Sequence, residues 1–484
     1  MQERYIATAD LGSSKIGLCV ARVDGKDVQI IYYKETPSDG IRHNCAFNPK
    51  RASESLKLAV KNAEDELKIK ILQLVVGLPR HDIRQETACA TMQRTDPDRL
   101  IARDEVEMIK NIALDGYPME NPREEIYGAS AQSFNADDMV GASEDDVVGT
   151  VCETLEGNFK IFIGARKYIS NIDIILGELG IAPAQKLFLP ALTAEAVLTP
   201  DEMDNGVALI EMGGGVSSLS IFKGGILRHY STIPFGGKSV TNDIRYECGF
   251  GESLADNIKL AFGACIPEKL QSMSDKILQI NDDETGSYEH LPVKYLSDII
   301  TCRWTEIIEA ICYQIQESGY ADKLRSGVVI TGGCASTVNM AALVKSISGY
   351  NVRTGYPRCQ KFVTEGCPDI WEPSASATVG MILEGCRDHT LNCLEKAPDN
   401  NKPEKVEPES IPVPEMEAEP DLKGSVFETG PETVAKKQAA KRKSEPSRSS
   451  DKKITWTKVK NKLGNKLESA FDNTLGSLYD NMGN

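Results

Sequence analysis

The chain has 484 residues, 41% hydrophobic and 26% charged, which is the composition of a soluble protein large enough for three or four compact units. Its formal net charge of −16 argues against nucleic acid as a main partner. No apolar run is long enough to span a bilayer. The thirteen scattered cysteines, without a Cys-x-x-Cys motif or a secretory leader, indicate reduced thiols in the cytosol.

The first predicted strand ends in an acidic residue and a glycine turn. Residues 5–15 have the sequence YIATADLGSSK, and the same pattern returns at 207–215 as VALIEMGGG. A third strand and turn follow at 328–334, VVITGGC. Each apolar, β-branched run is long enough for a buried strand, and glycines end it.

Two such hairpins, facing each other, predict a two-lobed clamp around a nucleotide. Glycine lets backbone N–H groups approach a ligand closely and form a concave anion site. The hairpins would hold a triphosphate from both sides, with Asp10 and Glu211 arranging a magnesium ion and the third turn against the nucleoside. Any one of these turns is ordinary, but three in this order after strands are more specific. The chain has neither a Gly-x-x-x-x-Gly-Lys-[Ser/Thr] loop nor a Gly-x-Gly-x-x-Gly motif that follows a strand.

Strand and helix patterns alternate between these turns, which predicts an α/β architecture. The predicted elements are, in chain order, a helix at 52–70, a buried strand at 72–78, helices at 104–114 and 168–179, and a mostly helical stretch at 244–316 with one apolar face. Residues 84–164 are more polar, with shorter strands. Both 84–164 and 244–316 are interpreted as insertions into a duplicated core.

The composition changes abruptly after residue 393. Residues 398–446 are rich in proline and acidic side chains, which predicts a disordered, extended tether that turns basic at 436–443. Periodicity returns at 453–484, where lysines accompany an apolar stripe. This basic, amphipathic pattern predicts a helix in the interface of an anionic membrane, and the alternative is a helix packed on its own domain or on a partner. The predicted membrane-binding side chains are Trp456, Val459, Leu463, Leu467, Phe471, Leu475 and Leu478.

Several segments together resemble the actin and sugar-kinase ATPase superfamily and, within it, the FtsA family of bacterial division proteins. They are the three turns, 187–198 (LFLPALTAEAVL), 231–237 (STIPFGG) and 256–259 (DNIK). The inserted piece ending at 160–165 (KIFIGA) is similar to the subdomain that FtsA proteins carry in place of one located elsewhere in other actin-like proteins. The resemblance covers about residues 4–392 and is renewed at the C-terminal helix.

This resemblance implies a two-lobed actin-like fold of the α/β class, built from duplicated ribonuclease-H-like domains. The implied domains are the lobe I core (1–83, 165–204 and 372–392), the inserted subdomain (84–164), the lobe II core (205–243 and 325–371), a helical insertion (244–324), a disordered linker (393–452) and a membrane-targeting helix (453–484).

It also implies ATP and Mg²⁺ as cofactors. The implied nucleotide-binding residues are Asp10, Gly12, Ser13, Ser14, Lys15, Gly213, Gly214, Gly215, Val216, Asp256, Lys259, Gly332 and Gly333. Asp10, with Glu211, would hold magnesium through water.

The resemblance further implies a membrane-bound polymer on the cytoplasmic face of the inner membrane at the division site. Its implied partners are the C-terminal peptide of the tubulin-like ring protein FtsZ, further copies of itself, later division proteins and anionic lipid. The partner surface is expected on the helical insertion, where Arg303 is a candidate contact and a plain surface arginine is the alternative.

The chain departs from the family pattern at residues that concern hydrolysis. Glu211, Val216 and Ser218 stand where aspartate, threonine and a second aspartate are usual. Leu189 stands at the position of the water-orienting Glu or Gln of hydrolytic relatives, and leucine can neither accept a proton nor position water. Because backbone N–H contacts to phosphate survive side-chain changes, we expect nucleotide binding with at most weak ATPase activity.

Two other classes of protein remain open at this point. A small-molecule kinase or chaperone-type ATPase of the same superfamily would share the clamp, but a kinase needs a carboxylate base, and Glu195 is the only carboxylate in the connecting segment. An actin-like pilus or compartment protein would share the fold and bind a different cytoplasmic partner.

Overall fold

The computed structural model describes residues 3–396, apart from 26, 282–287 and 365. The predicted terminal helix at 453–484 and all but the first four residues of the predicted linker lie outside this part of the chain. No helix within the described residues is both long and apolar enough to cross a membrane.

The strands are, in chain order, β1 (Arg4–Leu11), β2 (Lys15–Asp24), β3 (Asp27–Pro37), β4 (Ile41–Arg42), β5 (Cys45–Ala46), β6 (Ile69–Ile71), β7 (Gln73–Gly77), β8 (Arg84–Gln93), β9 (Glu124–Ala136), β10 (Met139–Ala142), β11 (Thr154–Ala165), β12 (Ala182–Leu187), β13 (Val207–Met212), β14 (Ser217–Lys223), β15 (Ile226–Ile233), β16 (Ile277–Asn281), β17 (Tyr288–Pro292), β18 (Val328–Thr331), β19 (Val352–Thr354), β20 (Val363–Thr364) and β21 (Leu394–Lys396).

The α-helices are α1 (Pro49–Leu67), α2 (Arg103–Asp115), α3 (Glu144–Val147), α4 (Arg166–Leu179), α5 (Leu189–Val197), α6 (Pro200–Asn205), α7 (Gly237–Cys248), α8 (Glu252–Phe262), α9 (Val293–Glu317), α10 (Met340–Ser348) and α11 (Ser376–Arg387). Short 3₁₀ turns occur at Pro267–Lys269, Gln271–Met273, Ala321–Lys323, Gly333–Ser336, Pro368–Trp371 and Pro373–Ala375.

The first lobe is built on a six-stranded sheet in the order β12-β7-β1-β2-β3-β20. An antiparallel meander, β1-β2-β3, continues on one side into the parallel strands β7 and β12. β1 and β2 are buried along most of their length because α1 and α11 pack on them. Asn48 caps the start of α1, because its side chain accepts the N–H of Arg51. The helix buries four residues of the predicted stripe: Leu56, Ala59, Val60 and Ala63.

The second lobe repeats this arrangement in a five-stranded sheet, β15-β14-β13-β18-β19. Its meander, β13-β14-β15, is again antiparallel, and β18 and β19 again add in parallel on the β13 side. The prediction of a duplicated α/β core is therefore confirmed. The predicted apolar face of α9 is also confirmed, because these side chains are all buried: Leu296, Ile299, Ile300, Trp304, Ile307, Ile308, Ile311 and Ile315.

The segment between β7 and α4 forms a separate four-stranded antiparallel sheet, β10-β9-β11-β8, with α2 packed against it. Its own core contains Phe134, Phe159 and Ile161. It contacts lobe II through β15, where the Gln132 amide donates to the carbonyl of Leu227 at 2.9 Å. This sheet corresponds to the insertion predicted at 84–164.

Four details differ from the sequence-based expectations. The helix predicted at 52–70 ends at Leu67, because Lys68 takes a left-handed conformation (φ 54°) and the chain turns into β6. Within the predicted lobe II segment 325–371, β20 pairs with β3 of the first lobe. β21 pairs with β6, so three residues of the predicted linker form a strand. The stretch at 244–316 also contains the hairpin β16-β17.

Candidate functional site

The two predicted loops have equivalent positions in the two lobes. In the first hairpin Asp10 pairs with Gly17, one step before the strand ends at Leu11. In the second, Glu211 pairs with Ser218, again one step before the strand ends at Met212. The duplicated sequence pattern therefore places two carboxylates and two glycine turns in the same register.

The loops meet across the cleft between the lobes. A Cβ added at Gly214 would overlap Ser14 Oγ, and one at Gly215 would lie 2.7 Å from Ser13 Oγ. The ammonium group of Lys238, at the start of α7, donates to the carbonyl of Ser13 at 2.6 Å and ties lobe II to lobe I. A triphosphate between the loops therefore requires the lobes to move apart at this point.

The third predicted turn lies directly beside the second loop. Gly332 has a φ of +88°, and a Cβ there would lie 2.7 Å from the carbonyl oxygen of Met212, so only glycine fits. Cys334 Sγ lies 3.4 Å from the carbonyl oxygen of Gly213. Gly333 faces Lys15 of the first lobe: a Cβ on Gly333 would be 3.8 Å from the lysine Nζ.

The predicted ribose and adenine residues lie on α8, next to the start of α7. Lys259 Nζ donates to Asp256 Oδ1 and to Thr241 Oγ1, each at 2.6 Å, and to the carbonyl of Gly237 at 3.2 Å. Burial alone would raise the pKa of Asp256, but the hydrogen bond and charge of Lys259 outweigh it and lower that pKa. Asp256 is therefore held as a carboxylate acceptor.

The guanidinium of Arg80 lies between the two predicted metal-holding carboxylates. Its Nη2 is 3.2 Å from both carboxylate oxygens of Asp10, and its Nη1 is 3.2 Å from Oε1 of Glu211. Arg80 follows β7, which pairs in parallel with β1, so its side chain reaches the end of β1 where Asp10 lies. The exposed fractions of the three side chains are 15% for Arg80, 18% for Asp10 and 6% for Glu211.

Electrostatics keep Arg80 charged. Burial lowers the pKa of its guanidinium, but the carboxylates of Asp10 and Glu211 outweigh burial and hold that pKa above its usual value. Burial raises the pKa of Glu211, and the nearby Asp10 carboxylate acts in the same direction, while Arg80 opposes both. In this arrangement the carboxylates do not fit a magnesium ion, which needs near-octahedral oxygen ligands at about 2.0–2.1 Å, because a fixed cation already engages their facing oxygens.

Sequence reasoning missed Arg80, Lys238 and Asn44. Asn44 links three parts of the site. Its Oδ1 accepts the N–H of Arg80 at 3.1 Å, its Nδ2 donates to the carbonyl of Leu11, and its backbone N–H donates to Ser13 Oγ at 2.7 Å. The position of Arg80, three residues after a buried strand, was a usable signal, but only once β7 is known to lie beside β1.

The two residues considered for catalysis, Leu189 and Glu195, are respectively buried in an apolar environment and bound by cations. Leu189 is 1% exposed and packs on the end of β7, where a Cβ at Gly77 would lie 2.5 Å from its Cδ1. Glu195 on α5 is bound by Lys361 at 3.2 Å and by Arg387 at 2.5 Å. Burial raises the pKa of Glu195, but these two cations outweigh it and lower the pKa, which does not suit a general base.

Arg303, the candidate partner contact, is engaged within the chain. Its guanidinium binds Asp243 on α7 at 2.5 and 2.9 Å and Glu306 at 2.6 Å. It therefore ties α9 to α7, and a role in partner binding stays a prediction.

The duplicated sheets and the paired hairpins give the described part of the chain an actin-like fold. A chain of the PilM-PilN type IV pilus biogenesis complex superposes with a TM-score of 0.55 at 12% identity, covering 78% of this chain and 98% of that one. The predicted two-lobed actin-like fold, with its inserted subdomain, is confirmed over the described residues.

Sequence comparison finds relatives among cell division proteins. The family model described as Cell division protein FtsA matches residues 208–380. The Cell division protein FtsA of Neisseria meningitidis serogroup B is 26% identical over 390 residues, which cover 80% of this chain and 91% of the relative. That of Pseudomonas aeruginosa is 26% identical over 384 residues, 79% of this chain and 89% of the relative. The chain is therefore similar in sequence to the FtsA cell division proteins over most of its length.

Proposed function

We propose that the chain is a membrane adaptor of the division machinery that binds ATP between its two lobes and turns it over slowly at most. The observation that carries the nucleotide part is the pair of glycine loops, Gly12–Lys15 and Gly213–Val216, that end equivalent hairpins and face each other across the cleft. Such loops offer backbone N–H groups to phosphate from two sides. Asp256 and Lys259 lie beside the second loop, where a nucleoside would extend from it.

Slow turnover follows from the side chains around that cleft. Leu189 supplies no group to orient water, and Val216 has an apolar side chain in the second loop. Magnesium, the other predicted cofactor, has no part in this proposal, because Asp10 and Glu211 hold Arg80 instead. The kinase alternative would need a free carboxylate base, and Glu195 is bound by two cations.

Calorimetric titration of the full chain with ATP tests the nucleotide site. We expect saturable binding that Gly214→Asp abolishes. Heat signals equal to those of buffer alone for the unaltered chain would contradict the proposal.

The adaptor part of the proposal concerns four predicted partners. The chain would link the C-terminal peptide of FtsZ to anionic lipid on the cytoplasmic face of the inner membrane at the division site, assemble with copies of itself and recruit later division proteins. The FtsZ peptide would dock on the helical insertion 244–324, where Tyr246, Leu260 and Tyr313 expose large apolar surfaces.

A pull-down with the FtsZ C-terminal peptide tests the partner. We expect Leu260→Asp to reduce capture, because it places a charge on an exposed apolar surface of the insertion. Met108→Asp, at an exposed position on α2 of the inserted subdomain, is the matched control and should leave capture unchanged. Equal capture of both variants would contradict a docking surface on α8.

Co-sedimentation with anionic vesicles tests the membrane part. Removal of residues 453–484 should abolish pelleting with vesicles while ATP binding persists, because the predicted tether separates helix and clamp. Undiminished pelleting of the truncated chain would contradict a terminal membrane helix.

A further inference from the structure

The two carboxylates that would hold a divalent cation in the cleft are already bound to one cationic side chain, that of Arg80. Arg80 contacts Asp10 of lobe I and Glu211 of lobe II through separate nitrogens, at 3.2 Å each. A guanidinium presents its donors in a fixed fork, so one side chain can bind two carboxylates at once. A magnesium ion at the same place would compete for oxygens that a permanent charge already engages.

The backbone of Arg80 is held from both lobes. Its N–H donates to the side chain of Asn44 at 3.1 Å, and its carbonyl accepts the hydroxyl of Tyr230, on β15, at 2.8 Å. Tyr230 is itself buried. The position of the guanidinium is therefore built into the fold.

The Nε atom of Arg80 supports the same interpretation. It is buried and makes no hydrogen bond to any described group. A buried donor without a partner costs free energy, which the charge pairing at the other end of the guanidinium must offset. This orientation puts Nη1 and Nη2 on the carboxylates at the expense of Nε, as expected if the carboxylate pair determines where the side chain lies.

We propose that Arg80 is a built-in substitute for the divalent cation between Asp10 and Glu211, so that the lobes close, and close on a nucleotide, without magnesium. The nucleotide part of this inference deepens the proposed function and rests on it. The closure part does not, since the ion pair between Arg80 and Glu211 joins the lobes directly.

Thermal unfolding of the full chain without nucleotide tests the cation site. The melting temperature of the unaltered chain should be the same in millimolar MgCl₂ and in EDTA. Arg80→Met keeps an unbranched stem and removes the guanidinium charge. It should melt lower in EDTA and recover in MgCl₂, because two unpaired carboxylates then face each other. Arg80→Lys should stay insensitive to magnesium.

Arg353→Met is the matched control. Arg353 makes a two-nitrogen ion pair with the single carboxylate of Glu202, at 2.7 and 2.6 Å. Its loss should lower the melting temperature without creating a response to magnesium. An Arg80→Met variant that is destabilised to the same extent in both buffers would show a plain structural salt bridge and overturn the inference.

ATP titration of the unaltered chain and of Arg80→Met in the two buffers tests the nucleotide part. We expect the affinity of the unaltered chain to change less than about threefold between EDTA and MgCl₂, and the affinity of Arg80→Met to fall more than about tenfold in EDTA. An unaltered chain that binds ATP only with magnesium would overturn the inference and leave the proposed nucleotide site standing. An unaltered chain that binds no ATP in either buffer would overturn the nucleotide site, and the melting response of Arg80→Met would still decide the cation site.

Discussion

Replacement of Gly214 by aspartate is the sharpest test of the clamp. The added Cβ would overlap Ser14 Oγ and lie 3.0 Å from Ser14 Cβ, which is closer than Cβ atoms normally approach another side chain. The lobes would have to separate, and the new carboxylate would then point at the place where both loops converge on phosphate.

The magnitude follows from Coulomb's law. Two unit charges 4 Å apart repel by about 4 kcal/mol at an effective dielectric constant of 20. Since every 1.4 kcal/mol is a factor of about ten in affinity, Gly214→Asp should weaken ATP binding by roughly a thousandfold, which calorimetry registers as no binding. Gly214→Ala adds the steric overlap without the charge. Its affinity for ATP should lie between that of the unaltered chain and that of Gly214→Asp.

Gly251→Asp is the matched control. It is also a glycine-to-aspartate change, but a Cβ at Gly251 meets no atom within 4 Å, and the residue precedes α8 at a position where aspartate is a favoured cap. It should leave ATP affinity unchanged. Equal affinities for Gly214→Asp and the unaltered chain would refute the assignment of the second phosphate loop.

Three further predictions concern turnover, the membrane and pH. Because Leu189 and Val216 lack water-orienting groups, phosphate release should be far below the ~10 s⁻¹ median of enzymes, and steady turnover near that rate would refute the reasoning. Trp456→Glu or Phe471→Glu should release much of the protein from anionic vesicles, since each large side chain contributes about 1.5–3 kcal/mol when buried; release by neither would contradict an interfacial helix. Burial and the charge of Lys160 lower the pKa of His229 to about 4 in the folded chain, so its stability contribution is present above pH 6.5 and is lost as pH falls towards 4. The loss should be about 1 kcal/mol by pH 5 after allowance for solvent screening of a partly exposed group, and a melting curve of His229→Gln with the same loss would refute it.

The sequence allowed the duplicated hairpins to be predicted because their signal is local. A β-branched run, an acid and glycines fix a strand and its turn within a dozen residues, and two copies in the same register are improbable by accident. The helix predicted at 104–114 was found for the same reason, within one residue at each end. The helix predicted at 52–70 has the predicted length but lies three residues earlier, because Asn48 caps its start and the left-handed Lys68 ends it.

The features that were missed depend on contacts between distant segments. Arg80 matters because β7 pairs with β1 and because lobe II brings Glu211 to the same place, and neither fact is visible near residue 80. Lys238 follows a glycine pair that was identified, but its bond to the first loop exists only in the closed arrangement of the lobes. Local sequence patterns therefore predicted the glycine loops that lie at the cleft. The charged side chains that join the lobes there, Arg80 and Lys238, depend on contacts between distant segments.

The two contacts of Arg80 are not equivalent, and the difference explains how the cleft could open. Arg80 and Asp10 both belong to the first lobe, so their ion pair is internal to that lobe. The contact with Glu211 is the one that crosses the cleft, and Glu211 keeps a weak hydrogen bond to Ser218 of its own lobe at 3.4 Å. Separation of the lobes therefore breaks one ion pair and leaves Arg80 with a carboxylate partner, which avoids the 3–5 kcal/mol typical of an orphaned buried charge.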